Sequence, residues 1–218
     1  MALTLPIDAM AQMFAATPGN TLPDVPEYNV CPTTQVPVVF TPDGTRRLGA
    51  MRWGLIPRWY MKPNDGPLLI NARAETVLKK PAFCSAVRER RALVIGTGFY
   101  EWTKDAEGGR NPWYITRRDG APLAFAAIWQ DWTSPDGAQD LQTVALLTTA
   151  ANTAMSDIHH RMPVMIEASD WPLWLGEAGK GAAPLLRAAD NDVLQWHRVD
   201  RAVNSNRARG PELIEPIE

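Results

Sequence analysis

The chain is poor in cysteine and histidine and carries no surplus of charge of either sign. Its two cysteines, Cys31 and Cys84, are too few and too far apart in sequence to read as a disulfide framework. That absence points to a reduced, cytoplasmic protein. Of the three histidines, His159 and His160 are adjacent and His197 is remote, and no CxxC or HExxH spacing occurs. No metal centre is expected from such a set. Gly96 and Gly98 lie in an apolar run that leads to no helix, so no phosphate-cradling loop is present and no cofactor is implied. A formal net charge of −2 denies the chain the electrostatic footprint of a strong, non-specific nucleic-acid binder. No apolar stretch approaches the length of a membrane span. The first residues show neither the basic stretch nor the long apolar run of a signal peptide.

What is present suits an ordinary globular protein. A length of 218 residues fits one large domain or two small ones and can bury a core without disulfides or metals. Nine tryptophans are many for that length, and core packing is the ordinary use for each. An exposed one on a cleft wall would instead suit stacking on a base or a sugar. Basic residues gather locally at Arg46, Arg47, Arg52, Arg58 and Lys62, and again at Arg201, Arg207 and Arg209.

Residues 4–15 read as an amphipathic helix with Thr4 as its cap, Pro6 in the first turn, and Ile7, Met10, Met13 and Phe14 on one stripe. A Pro/Gly/Asp-rich stretch over 18–26 ends it. Strand-like runs follow at 35–40 and 48–53 around the turn Pro42-Asp43-Gly44. A short helix starts at Pro81, with Phe83 and Val87 inward and Arg88, Arg90 and Arg91 toward solvent. Residues 92–100 are nearly all apolar and predict one strand buried on both faces. Further strands are expected at 112–116, 123–131, 141–149 and 162–166. A helix capped by Ser169 runs to 175, and a helical turn or two covers 184–189. Strands outnumber helices and are joined by turns, which predicts a single α+β domain over 1–218, built on a mostly antiparallel, barrel-like sheet with short peripheral helices. The only linker-like segment, 176–183, is short. A monomer is expected.

Three segments could carry chemistry. Glu101 ends the 92–100 run between Tyr100 and Trp102, and an aromatic setting would raise its pKa toward the range of a general acid. The alternative is a strand-end glutamate paired with an arginine. Asn71-Ala72-Arg73-Ala74-Glu75 follows the apolar residues 68–70. It would present an amide and a guanidinium together, a pair suited to a sugar-phosphate, or else a turn with a surface ion pair. In Ile158-His159-His160-Arg161-Met162-Pro163 one histidine can act as a base near neutral pH, while the other can cap a turn.

Tyr28-Asn29-Val30-Cys31-Pro32, Trp53-Gly54-Leu55-Ile56-Pro57-Arg58-Trp59, Asn71-Ala72-Arg73-Ala74-Glu75-Thr76 and Gly98-Phe99-Tyr100-Glu101-Trp102 occur in that order. Thr148-Thr149-Ala150-Ala151-Asn152, the Ile158–Pro163 segment above and the tail 203–216 complete the set. Together they resemble the SOS-response-associated peptidases, a family of abasic-site-processing proteins, over residue 2 to the C-terminus. The resemblance implies a compact domain around a barrel-like sheet and a basic cleft that receives single-stranded DNA containing abasic sites. It also implies an amino-terminal cysteine, exposed by self-removal of the initiator methionine. Its amine and thiol condense with the opened sugar's aldehyde to a thiazolidine cross-link. Carried over by residue, Asn71 would position the amino terminus and opened sugar, Glu101 would shuttle protons, and His159, not His160, would act near the lesion. Arg73 would hold a flanking phosphate, Asn29, Pro32 and Trp59 would shape the strand cleft, and Thr148 would line the pocket.

The beginning departs from the family pattern. The family starts Met-Cys-Gly-Arg-Phe, and this sequence starts Met1-Ala2-Leu3, so about four residues, including the cysteine and a DNA-contacting arginine, have no counterpart. The amine would then lie roughly 13 Å further along the chain, at about 3.3 Å per extended residue. Cys31 is no substitute, because it has no free amine with which to close a thiazolidine. Two other readings stand beside cross-linking: a single-strand or abasic-DNA binding module without the covalent step, and an unrelated hydrolase using Glu101 and His159.

Overall fold

The structure, a computed structural model, describes residues 1–19 and 21–217. The turn-rich stretch 18–26 is therefore described except for Asn20, and the expected domain except for Asn20 and Glu218. In chain order the strands are β1 (Thr17–Pro18), β2 (Gln35–Phe40), β3 (Arg47–Trp53), β4 (Asn71–Arg73), β5 (Arg91–Gly96), β6 (Phe99–Lys104), β7 (Arg110–Arg117), β8 (Leu123–Thr133), β9 (Asp140–Ala150), β10 (Arg161–Pro163) and β11 (Leu194–Arg198). Three short helices, α1 (Ile7–Met13), α2 (Cys84–Glu89) and α3 (Trp171–Leu175), lie among them with several 3-10 turns.

Five strands close into a barrel. β3, β2, β5, β8 and β9 pair in that order, each pair antiparallel, and β9 returns to β3 through the parallel matches Arg52 with Thr143 and Trp53 with Val144. The continuous apolar character of β5 and of the first half of β8 follows from this closure. One face fills the barrel, and the other is covered, as where α3 packs on β5 and the buried Trp174 indole donates to the Ala92 carbonyl at 2.8 Å. The expected mixed domain on a barrel-like sheet is the one observed.

The apolar run 92–100 is not one strand. It breaks between β5 and β6, which belong to different sheets: β6 joins β7 and β11 in a separate antiparallel sheet. Glycine permits the break, because a Cβ on Gly98 would stand 2.3 Å from the Tyr114 ring. The amino-terminal strand-like segment holds it. Ala2 N–H donates to the Gly98 carbonyl and Thr97 N–H to the Ala2 carbonyl, both at 2.9 Å. An all-apolar run has no periodicity in which such a bend could show. It is this bend that swings Glu101 off the barrel wall.

Other local expectations shift for similar reasons. α1 begins at Ile7 with Pro6 at its cap position, while the Thr4 hydroxyl turns to Thr97 Oγ1 at 3.4 Å. Arg90 and Arg91 are not turned to solvent: their guanidiniums bond the carbonyls of Trp129 and Trp174. Ser169 caps nothing and sits in a 3-10 turn before α3, and the 184–189 helix is a single 3-10 turn at Ala183–Leu185. Among the described residues no helix is long and apolar enough to cross a membrane.

Candidate active site

One cavity of about 580 Å³ opens where the barrel meets the small sheet. Trp53, Ile70, Phe99, Phe125, Leu146 and Met162 form its apolar part. Its polar side chains come from four places. β4 alternates, so Ala72 is buried while Asn71 and Arg73 share the opposite, open face. Parallel pairing of β4 with β9 sets Arg73 beside Thr148. β6 brings Glu101, and the turn before β10 brings His159.

Glu101 and His159 meet. His159 Nδ1 lies 3.7 Å from Glu101 Oε1, with both side chains largely shielded from solvent. The same ring nitrogen is 2.9 Å from the Arg161 carbonyl, which can only accept, so this contact is a hydrogen bond in the tautomer that carries the proton on Nδ1, the one that leaves the Nε2 lone pair open. The Arg161 amide also points at Nδ1, but at 3.3 Å it is the weaker contact. Burial pushes the Glu101 carboxyl above its ordinary value, opposed by His159, the amino terminus and Arg110.

Met1 lines this cavity as well, and its amine donates to the Val30 carbonyl at 3.1 Å. Burial pushes that amine down to about 6, against the pull of Cys31, Glu27 and Glu101. A buried amine of this kind is largely neutral at neutral pH and nucleophilic. The site therefore combines a neutral amine, a protonated or protonatable carboxyl and a histidine with an open nitrogen.

Glu75 braces the rim. Its two oxygens take the Arg161 guanidinium at 2.7 and 2.9 Å, and Arg161 also donates to the Thr148 carbonyl at 2.7 Å. Hydrogen bonds from Arg161 bring the Glu75 carboxyl down to about 2. The pair ties the turn after β4 to β9 and β10, the strands that carry Arg73, Thr148 and the approach to His159.

Of the residues named from sequence, the cavity gathers Asn29, Pro32, Asn71, Arg73, Glu101, Thr148 and His159. Asn29 is buried, and its amide donates to the carbonyls of Ser205 and Ala208, so it fastens the Tyr28–Pro32 segment to the C-terminal tail. Trp59 stands apart: it is 58% exposed, packs edge-on against Tyr60, and is not part of the cavity wall. The tail contributes Val203, Asn204 and Asn206, and the β6–β7 hairpin contributes Trp102 and Arg110. None of these five was singled out from sequence as a site residue.

Comparison with known proteins places this geometry. Residues 1–206 match the family described as SOS response associated peptidase (SRAP). The Abasic site processing protein YoqW of Bacillus subtilis is 35% identical over 195 residues, covering 87% of this chain and 86% of that one. The Abasic site processing protein YedK of Escherichia coli is 31% identical over 194 residues, covering 87% and 84%. A solved protein structure from Bordetella bronchiseptica superposes with a TM-score of 0.77 at 24% identity, covering 91% of this chain and 98% of that one, a likeness of fold alone. The chain belongs to the SOS response associated peptidase family.

Proposed function

We propose that this protein processes abasic sites in single-stranded DNA by amine–aldehyde chemistry at the Glu101–His159 cavity. The observation that carries the reading is the meeting of a desolvated amine, Glu101 and His159 in one pocket. An abasic sugar in its open form presents an aldehyde. A neutral amine adds to that carbon, and the carbinolamine loses its hydroxyl as water once the hydroxyl is protonated. Glu101, with its raised pKa, supplies that proton, and Nε2 of His159 is open to accept the one shed by the amine. Asn71 offers its amide to the sugar, and Arg73 its guanidinium to a flanking phosphate.

The product is an imine. In a chain whose amino-terminal residue is cysteine, the thiol adds to the imine carbon and closes a thiazolidine, giving a cross-link that resists hydrolysis. In such a cysteine-bearing chain, self-removal of the initiator methionine, a hydrolysis that consumes one water, comes first and frees the cysteine amine; in the present chain the reacting amine is that of Met1. The relatives named above as abasic site processing proteins support the substrate class.

Borohydride reduction tests the chemistry. Incubating the protein with a single-stranded oligonucleotide containing one abasic site should give a reductant-dependent covalent adduct. An oligonucleotide with a tetrahydrofuran at that position, which has no aldehyde, should give none. Binding to both oligonucleotides without any adduct would favour the second reading, a sensor of single-stranded or abasic DNA.

A further inference from the structure

Arg110 stands at the mouth of the cavity on the small sheet, exposed, with no carboxylate in ion-pair distance among the described residues. Its guanidinium carbon lies over the Trp102 ring, 4.6 Å from the ring centroid. Trp102 is itself held: its indole N–H donates to Asn204 Oδ1 at 2.6 Å. The other end of the same amide donates to the Arg110 carbonyl at 3.2 Å. Asn204 thus holds the Trp102 ring and the Arg110 backbone together, joining the β6–β7 hairpin to the 3-10 turn Arg201–Asn204 of the tail.

This arrangement is more than a surface arginine. The contact with the ring is a cation–π one that uses none of the guanidinium's five N–H donors in a hydrogen bond to a carboxylate. The arginine's conformational freedom is already reduced before any ligand arrives, which lowers the cost of binding. Of the other two guanidiniums lining the cavity, Arg161 is committed to Glu75, while Arg73, the phosphate contact proposed above, has no side-chain partner among the described residues. Near the hairpin, Arg201 is committed to Asp105 and Asn111. Arg110 carries no such commitment. A planar, preorganised and uncommitted fork of donors suits a phosphodiester.

We propose that Arg110, seated on Trp102 and fixed through Asn204, binds a DNA backbone phosphate beside the cavity. This is a second phosphate contact, from the small sheet, in the same cavity wall as Arg73 on β4, which pairs with β9 of the other sheet. The inference rests on the reading of the site as a single-strand DNA site and names a binding residue for it. Because the strand's backbone would be gripped from both sheets, the abasic residue between the two contacts is directed into the pocket.

The test is equilibrium binding of a single-stranded oligonucleotide carrying the tetrahydrofuran analogue, followed by fluorescence anisotropy over a series of salt concentrations. For single strands, each phosphate contact adds about 0.7 to the slope of log affinity against log salt. Arg110→Ala should lower the slope by about 0.7, which corresponds to roughly eightfold weaker binding at about 0.05 M salt relative to the 1 M extrapolation. Arg110→Lys should keep the slope. Weaker binding of Arg110→Ala with an unchanged slope would mean that Arg110 only braces Trp102, and it would overturn the proposal, as would unchanged binding. A wild-type protein whose binding shows no salt dependence would instead sink the single-strand DNA reading as a whole, and this inference with it.

Discussion

His159 Nδ1 sits 3.7 Å from Glu101 Oε1, although the first residue precedes a strand of the barrel sheet and the second rides on the small sheet. The bend at Thr97-Gly98 creates this meeting. Had residues 92–100 continued as one strand, Glu101 would have extended along the barrel instead of crossing to the cavity.

Glu101→Gln should slow adduct formation on abasic single-stranded DNA by about 10²–10⁴-fold, the usual range for a lost general acid. Affinity for the tetrahydrofuran analogue should stay within about twofold. The pH profile gives a second check. The rate should rise as the amine loses its proton, at about 6, and fall once pH passes the raised pKa of Glu101. The glutamine variant should lack the alkaline fall. A wild-type rate in this variant would remove Glu101 from the chemistry.

Arg73→Ala should weaken binding and reduce the salt slope by about 0.7, one phosphate contact on a single strand. Titration of the analogue-containing oligonucleotide at several salt concentrations measures it. An unchanged slope would assign Arg73 a structural part only.

Glu75→Gln should change the acid limb of stability. The Glu75 carboxyl is held at about 2 when folded, against an ordinary 4.5, so its contribution is fully present above about 4.5 and is lost as pH falls toward 2. Because the side chain is half exposed, the loss at neutral pH should be only about 0.5–1 kcal/mol. Denaturant titrations at neutral and acid pH should show the variant and wild type converging as acid is added. A gap that widens toward acid would contradict the pairing with Arg161.

Gly98→Ala should destabilise the fold by about 1–3 kcal/mol, since the added methyl meets the Tyr114 ring at 2.3–2.4 Å. Thermal denaturation should show a melting temperature several degrees lower. Adduct formation should slow as well, because β6 carries Glu101. An unshifted melting temperature would show that the Gly98–Tyr114 approach is not tight.

The barrel was legible in the sequence because its strands are long apolar runs set apart by turn residues. β2 and β8 are examples, matched nearly end to end. The bend at Thr97-Gly98 was not, since uniform hydrophobicity hides a change of direction. β11 was missed because Leu194-Gln195-Trp196-His197-Arg198 has only weak strand character and is a strand through its pairing with β7. Within the site, Asn71, Arg73, Glu101, Thr148 and His159 were found through motifs, and they do line one cavity. Trp59, expected at the cleft, lies outside that wall. The Trp102–Asn204–Arg110 group could not be read locally, because a hairpin and a tail about a hundred residues apart assemble it.

The most direct test of the account is a denaturing-gel assay on abasic single-stranded DNA. It compares this chain with one in which Met-Cys-Gly-Arg-Phe precedes Ala2 in place of Met1. The account predicts a cross-link from the cysteine-bearing chain without reductant, and an adduct from the present chain only after borohydride. No adduct from either chain, with or without reductant, would contradict the claim that this cavity joins an amine to the abasic aldehyde.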